Sequence, residues 1–294
     1  MCTGAGVSRA GFYRHWEAEA PDEAEMALRA AIQKMALAHR FYGYRRVQRD
    51  LEKEGYAVGS KKVRRLLRED NLLAIRRRRF VRTTDSDHGF RVYPNLAEHL
   101  ELTQTNQLWV ADLTYVRLQA EFVFLAVVLD AFSRRVVGWA LGRDLKASLP
   151  LAALRLAISN RHPQPGLVHH SDQGSQYASA EYVGCLDSIQ AVSSMSRAGR
   201  PWENGKCESF MKTLKQEEIN ARSYTTLEEL EEHVEEFMEQ IYNRQRLHSA
   251  LGYRTPEQFE AEQSRVTQPT AGPSWQPAAL NLPRYEEISG EGAP

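Results

Sequence analysis

The sequence is poor in cysteine and has no apolar run of membrane-spanning length, and both absences narrow the class of protein. Its 294 residues contain three cysteines, Cys2, Cys185 and Cys207, with no Cys-x-x-Cys motif. Neither a disulfide framework nor a thiolate zinc site is indicated, which fits a reducing cytoplasm. The apolar stretch FVFLAVVLDAF is too short to cross a bilayer, and the first residues lack the basic-then-apolar layout of a signal peptide. We therefore expect a soluble protein of the cytoplasm.

Net charge is also absent, because 38 Lys and Arg balance 38 Asp and Glu, but the two signs are unevenly distributed. Residues 40 to 91 contain 16 Lys and Arg against 7 Asp and Glu. Residues 217 to 240 contain nine Glu, and Arg222 is their only Lys or Arg. A basic block beside a neutral remainder favours a polyanionic partner contacted by one region, although such a block is often only a solvated surface.

The basic block has the pattern of two short helices joined by a turn. Tyr44, Val47 and Leu51 fall on one helical face, and Gly55 can end that helix. Ser60 is a suitable N-cap for a second helix with inward apolar residues. Five basic residues on the outward face of the second helix are the candidate DNA contacts: Lys61, Lys62, Arg64, Arg65 and Arg68. Such a pair suits DNA binding, and a helical hairpin with a solvated face is the alternative.

From residue 107 the pattern changes to strands and helices in alternation. Three strands are predicted in QLWVADLTYVRL and EFVFLAVVLDAFSRRVVGWAL, with a polar turn near residues 132 to 135. They are followed by a helix capped by Ser148, a strand ending at Val168, a helix in SAEYVGCLDSI, a strand in QAVSSMS and a long helical region from Asn204. We predict an α/β fold with a mixed sheet, whose first strands are antiparallel and whose later strands are reached by helical crossovers.

Three carboxylates occupy positions from which they can converge at one end of this sheet. Asp112 lies inside the first strand, where a charge is costly unless it is paired or binds a metal. Asp172 follows the fourth strand, and Glu208 falls one turn into the next helix. Each alone has an ordinary structural explanation. Together, without nearby thiolates, they are typical of a site for Mg²⁺ or Mn²⁺, and two such ions can support an in-line phosphoryl transfer.

The segments around these carboxylates resemble the three acidic motifs of the retroviral-type integrase core: WVADLTYV around Asp112, HHSDQGSQYAS around Asp172 and RPWENGKCESFMKTLKQE around Glu208. Between the last two lie 208 − 172 − 1 = 35 residues, the spacing for which that family is named. YNRQRLHSALGYRTPEQF resembles the closing segment of this core in bacterial transposases. GVSRAGFYR and residues 42 to 75 resemble the upstream half of the OrfB-type protein of the insertion-sequence family numbered three. The resemblance covers Gly6 to about Phe259.

The resemblance implies an RNase H-like core in which Asp112, Asp172 and Glu208 are catalytic and bind two Mg²⁺ or Mn²⁺ ions. It implies a DDE-type DNA transposase that cleaves a transposon end with water and then attacks another phosphodiester with the freed 3′-OH. The implied partners are double-stranded DNA (transposon ends and target), an upstream-frame transposase subunit or fusion, and further copies of the chain on DNA. The implied location is the bacterial cytoplasm, at the nucleoid. A stand-alone metal-dependent nuclease and a DNA-binding regulator with an inactive core are the alternatives.

Residues near the motifs have two interpretations each. Asn204 and Lys212 share a helical face with Glu208 and either contact DNA phosphates or pack around the site. Trp109 is expected in the core rather than as a surface on which bases stack. Three residues after the Glu-rich region either reach target DNA or form ion pairs with the local glutamates: Arg244, Arg246 and His248.

The same patterns predict the order of domains. They are a helical fragment (1–25), a basic helix-turn-helix-like domain (26–80), a linker (81–100), the integrase-type core (101–265) and a tail (266–294). The last 26 residues hold five prolines and little periodicity, so we expect the tail to be disordered.

Overall fold

The structure, a computed structural model, describes residues 23–74 and 91–266. The predicted N-terminal fragment and C-terminal tail therefore lie almost wholly outside the described residues. Within the described ranges, no helix is both long enough and apolar enough to cross a membrane.

One helix, α1 (Glu23–Ala38), precedes the basic block, which forms the two predicted helices, α2 (Tyr44–Lys53) and α3 (Ser60–Glu69). Their inward residues, among them Val47 and Leu51 of α2, form an apolar cluster, as the helical spacing predicts. Gly55 ends α2 with a φ of +91°, and the amide of Tyr56 donates to the Leu51 carbonyl at 2.9 Å. The predicted N-cap of α3 is wrong by one residue. Gly59 has the extended backbone of a cap, so the helix begins at Ser60.

The middle of the chain forms a five-stranded sheet with the order β3-β2-β1-β4-β5. The strands are β1 (Leu108–Arg117), β2 (Phe122–Asp130), β3 (Val136–Gly142), β4 (Val168–Ser171) and β5 (Val192–Met195). β2 and β3 are antiparallel, whereas β4 is parallel to both β1 and β5. The predicted mixed sheet is confirmed.

Helices α4 (Ser148–Arg161) and α5 (Ala180–Ser188) make the crossovers to β4 and β5. Close packing of α4 on β3 requires glycine at 138, because a methyl group there would overlap the Ala153 carbonyl and the backbone of Ala157. Ser179 caps α5 by accepting from the Tyr182 amide. The predicted cap at Ser148 is wrong, since Ala147 holds that position and Ser148 is the first helical residue.

The chain continues in a 3-10 turn (Pro201–Asn204), α6 (Gly205–Leu214), a π-helical turn (Lys215–Ile219) and α7 (Leu227–Glu236). A second π-helical segment (Phe237–Gln245), a 3-10 turn (Ser249–Leu251) and α8 (Pro256–Val266) complete the described residues. These elements belong to two compact units. The described part of the first unit is residues 23–74, 116–122 and 209–255, and that of the second is 91–115, 123–208 and 256–266.

Inside the first unit, the loop before α2 is bonded to the segment that follows the second π-helical segment. The Tyr42 hydroxyl accepts from the Leu247 amide at 3.0 Å, and Arg46 Nε donates to the Leu247 carbonyl at 2.8 Å. Next to them, the buried Arg246 guanidinium donates to both carboxylate oxygens of Glu217, at 2.7 and 2.8 Å. The helical N-terminal region and the segment around residue 246 are therefore packed as one body.

Candidate active site

The pairing of β1 with β4 brings two of the three carboxylates to corresponding positions along these neighbouring strands. The ladder pairs Leu108 with Val168 and Val110 with His170, a constant offset of 60 residues. Asp112 and Asp172 have the same offset, because 112 + 60 = 172, and Asp172 lies one residue beyond the end of β4 at Ser171. Both aspartates therefore lie shortly beyond the paired residues of the two strands, each two positions along the chain from the pair Val110 and His170.

Each aspartate is half-buried and oriented by a local backbone amide. Asp112 Oδ1 accepts from the Leu113 amide at 2.8 Å, and Asp172 Oδ1 accepts from the Gly174 amide at 3.0 Å. The second bond closes a turn around the carboxylate, as Asx residues commonly do. A side chain at Gly174 would crowd this turn, because a Cβ there would lie 3.0 Å from Asp172 Oδ1.

Two buried side chains are under the electrostatic influence of both aspartates. The Cys207 thiol has no exposed surface, and burial, followed by Asp112 and Asp172, raises its pKa. The Tyr177 hydroxyl is likewise buried, and its pKa is raised by burial first and then by Tyr182, Asp172 and Asp112. The two carboxylates therefore converge on one small region, which includes the residue that precedes Glu208.

The helix that carries Glu208 is anchored to the strand that carries Asp112. Asn204, at the end of the 3-10 turn before α6, is buried, and its Nδ2 donates to the Ala111 carbonyl at 2.9 Å. Glu203 in the same turn accepts from Asn95 Nδ2 at 3.0 Å. Glu208 itself is exposed one turn into α6. These bonds fix the start of α6 beside β1.

The donor set suits a hard divalent cation. Among the described residues, no three His, Cys, Asp or Glu side chains are arranged to share one metal ion. Mg²⁺, however, is usually bound by one or two carboxylates together with water and substrate phosphates. Asp112 and Asp172 provide such a pair of oxygen ligands, so these residues fit the group that the sequence predicted.

The predicted DNA contacts are distributed over exposed and buried positions. The five basic residues of α3 are exposed, but two of them are paired: Lys62 with Glu25 at 3.2 Å, and Arg65 with Glu25 and Glu69 at 3.4 and 3.0 Å. Lys212 is exposed on α6. The buried Asn204 amide contacts the β1 backbone, as described above. Contact of any of these side chains with DNA stays a prediction.

One prediction about neighbouring residues is confirmed, and one open alternative is decided. Trp109 is fully buried and its indole donates to Asn106 Oδ1 at 3.2 Å, so it is a core residue. For Arg246 the sequence left DNA contact and an ion pair as alternatives, and the structure shows an ion pair with a local glutamate, Glu217. Arg244 is exposed and bonded to Gln240, and the His248 ring packs edge-on against Tyr242.

The sequence did not predict that a group of buried aromatic residues lies near the aspartates. Tyr182 and His169 share a buried hydrogen bond of 3.0 Å, and Tyr177 packs edge-on against Tyr182. Tyr177 lies within the motif HHSDQGSQYAS, but an aromatic residue in a loop carries no sequence signal of burial. Its distance from Asp172, five residues, is the only hint that it belongs to the site.

Comparisons with known families define the class of this protein. The family "Integrase core domain" matches residues 103–201 and, in a second form, residues 190–256. The family "HTH-like domain" matches residues 23–80, which include α1, α2 and α3. The chain is therefore an integrase-type protein, with an RNase H-like mixed sheet preceded by a helix-turn-helix-like region.

Similar proteins narrow the class further. The chain is 36% identical over 264 residues to the "uncharacterized 31 kDa protein" of insertion element IS600 from Shigella sonnei, covering 88% of this chain and 97% of that one. It is 33% identical over 266 residues to transposase InsF of IS3A from Escherichia coli, covering 88% and 92%. The transposase of IS904 from Lactococcus lactis is 36% identical over 220 residues, covering 74% and 87%. The chain belongs to this family of insertion-sequence transposases.

A solved structure with a similar fold is the catalytic core domain of HTLV-2 integrase in complex with magnesium. It aligns with a TM-score of 0.43 at 17% identity, over 53% of this chain and 97% of that chain.

Proposed function

We propose that the chain is a DDE-type polynucleotidyl transferase that cleaves transposon ends and joins the freed 3′-OH to target DNA. Membership of the transposase family supports the substrate class. The observation that supports the chemistry is the β1–β4 register, in which Asp112 and Asp172 each follow a paired residue by two positions, together with the bond that anchors the helix of Glu208 to β1. Aspartates with only a structural role in a strand or a turn would not need to occupy corresponding positions on paired strands.

In this proposal Asp112, Asp172 and Glu208 hold Mg²⁺ or Mn²⁺. When bound, such ions lower the pKa of the attacking oxygen and stabilise charge on the leaving oxygen. The backbone amides of Leu113 and Gly174 orient the two aspartates, and the bond from Asn204 to Ala111 sets the start of the helix that carries Glu208. The chain thus presents oxygen ligands to a phosphodiester beside the neighbouring strands β1 and β4.

One site serves both reactions because both are in-line displacements at phosphorus. In cleavage, a water oxygen bonds to phosphorus while the bond to the 3′-oxygen of the transposon strand breaks. In joining, that 3′-oxygen bonds to a target phosphorus while the target's own bridging oxygen leaves. Neither step needs a nucleophile from the protein, and none is proposed.

DNA is held, in this proposal, by the helix-turn-helix-like region through the basic face of α3. The chain acts as several copies on DNA, together with an upstream-frame subunit or as a fusion to it, in the bacterial cytoplasm at the nucleoid. Lys212 and Asn204 belong to the site as a DNA contact and an anchor, respectively. All five basic residues of α3 are exposed, which supports their assignment as DNA contacts.

The test uses the purified full chain and a labelled duplex that ends in the terminal repeat of its own element. With Mg²⁺ or Mn²⁺, a gel is expected to show a nicked strand and a longer, joined strand. EDTA is expected to abolish both products, and Ca²⁺ to support binding without efficient chemistry because its coordination is longer and looser.

The same gel separates the alternatives. Cleavage without a joined product would indicate a metal-dependent nuclease, and binding without either product a DNA-binding regulator. Full activity in EDTA would rule out the metal mechanism.

A further inference from the structure

Tyr177 is held rigidly in the loop that follows Asp172. Its amide donates to the Gly174 carbonyl at 3.0 Å, in the turn closed by Asp172. Its ring packs edge-on against Tyr182, with centroids 5.3 Å apart and an interplanar angle of 86°, and also contacts His169. With 3% of its surface exposed, the side chain has little freedom to move.

The hydroxyl of Tyr177 is buried and has no hydrogen-bond partner among the described residues. Tyr182 is the natural comparison, because its hydroxyl is equally buried but is bonded to His169 Nε2 at 3.0 Å. A buried hydroxyl without a partner destabilises a fold, and phenylalanine would fill the same space without this cost. An unsatisfied donor in so ordered a place indicates a partner that forms in another state of the site.

The surroundings of Tyr177 show which acceptors lie in the same part of the site. A Cβ placed on Gly174 would lie 3.0 Å from Asp172 Oδ1 and 3.6 Å from Tyr177 Cδ2, so the ring and the carboxylate border the same small space. Asp172, Asp112 and Cys207 all act electrostatically on the Tyr177 hydroxyl. Of these groups, the two aspartates are the strong acceptors.

We propose that Tyr177 is a positioning residue for the metal-binding aspartates, and that its buried hydroxyl donates to Asp172 or Asp112 when a divalent ion is bound. This inference rests on the proposed function, because it assumes that the two aspartates bind the ion. A donor to a ligating carboxylate fixes its orientation, and loss of such a donor commonly weakens metal binding about tenfold or more. In the metal-free protein the same unbonded hydroxyl lowers the stability of the fold or leaves it unchanged.

The test compares Tyr177→Phe with Tyr182→Phe in the full chain, with Asp172→Asn as the reference for loss of the site. Mn²⁺ affinity is measured from the electron paramagnetic resonance signal of free Mn²⁺, and stability from urea unfolding in EDTA. Tyr177→Phe is expected to be as stable as the parent or more so, while binding Mn²⁺ about tenfold more weakly. Tyr182→Phe is expected to show the opposite, with lower stability and unchanged affinity. Para-aminophenylalanine at position 177, which keeps a donor, should restore the affinity.

Three results would overturn the inference. If Tyr177→Phe bound Mn²⁺ as the parent does while Asp172→Asn did not, the metal site would stand and the role of Tyr177 would fall. If the parent and Asp172→Asn bound Mn²⁺ equally, the metal site of the proposed function would itself be misplaced, and the inference would fall with it. A destabilised Tyr177→Phe protein would show that the hydroxyl already has a partner in the absence of metal.

Discussion

The two aspartates of the candidate active site and the cations on the outward face of α3 carry charges of opposite sign. The structure holds these two sets of charges in different ways. Asp112 and Asp172 are half-buried, follow the paired residues of β1 and β4 and are oriented by backbone amides. The cations of α3 are exposed side chains on one helix, and Lys62 and Arg65 are already paired with glutamates. Position is set by the sheet in the first case and by a flexible side chain in the second.

Because of this difference, the function of the acidic site depends strongly on single residues, whereas binding through α3 does not. A carboxylate fixed by a ladder and a turn cannot be replaced by a neighbour, because a neighbour lies on the other face or at another level. Exposed cations on a helix act through their summed field, so each contributes a modest share. We therefore expect large effects on activity when the carboxylates are replaced, and small, additive effects on DNA binding when residues of α3 are replaced.

The largest expected effect is at the carboxylates. Replacing Asp112 or Asp172 by Asn, or Glu208 by Gln, removes the ligand charge while keeping the shape. Cleavage and joining should both fall by several orders of magnitude, as measured by product formation on gels with Mg²⁺.

Affinity for the DNA end in metal-free buffer serves as the control and should change little. Near-normal joining by any one of these variants would mean that the residue is misassigned.

The second prediction tests whether the loss of stability on removing a charged side chain depends on its burial rather than on its charge alone. Arg246→Ala leaves Glu217 as a poorly exposed carboxylate without its partner, in the same unit as the exposed cations of α3. Breaking a buried pair in this way costs about 3–5 kcal/mol, which urea unfolding would detect.

Arg244→Ala is the matched control, since Arg244 is two residues away but exposed. Its loss should change the free energy of unfolding by less than about 0.5 kcal/mol. Equal losses for the two variants would remove burial as the explanation.

The third prediction concerns His169, which lies in β4 three residues before Asp172. Burial lowers the pKa of His169 from 6.5 to about 3, with His170 adding to the shift. Between these two values the unfolded chain binds a proton that the folded chain excludes. Stability should therefore fall as the pH drops through this window, with His169 contributing roughly 1.4 kcal/mol per pH unit.

Unfolding free energies of the parent and of His169→Gln, measured from pH 7 to pH 4, check this contribution. The variant should have a shallower dependence by about one proton. Identical slopes would show that this histidine is protonated in the folded protein.

The smallest expected effect is on α3. Replacing Lys61, Arg64 and Arg68 by Ala should flatten the dependence of log K for DNA on log salt by up to about 2.7, since each phosphate contact adds about 0.9. Filter binding or fluorescence anisotropy at several salt concentrations measures this slope.

Lys62→Ala with Arg65→Ala provides the comparison, because both residues are paired with glutamates. This double variant should flatten the slope less per residue. Unchanged slopes in both variants would reduce the basic face to a solvated surface.

Much of the fold could be predicted from the sequence because periodicity is a local property. Alternation in β1, the apolar run of β2 and the helical spacing of α2 and α3 are each visible within about ten residues. The spacing of 35 residues between Asp172 and Glu208 is also a sequence property, as is the basic composition of α3. Helix caps were predicted less well, because Gly59 and Ala147 took positions that Ser60 and Ser148 were expected to hold.

The sequence by itself determined the elements, the three acidic motifs and the charged helix face. Only the tertiary structure decided that β1 and β4 pair with an offset of 60, that Asn204 bonds to Ala111, and that Arg246 takes Glu217 as its partner. The reason is physical: these contacts join residues between 29 and 93 positions apart. Long-range packing selects such partners, and each buried polar group must be satisfied by whatever packing brings beside it. For the same reason, the Tyr177 hydroxyl can be recognised as unpartnered among the described residues only from the positions of its described neighbours.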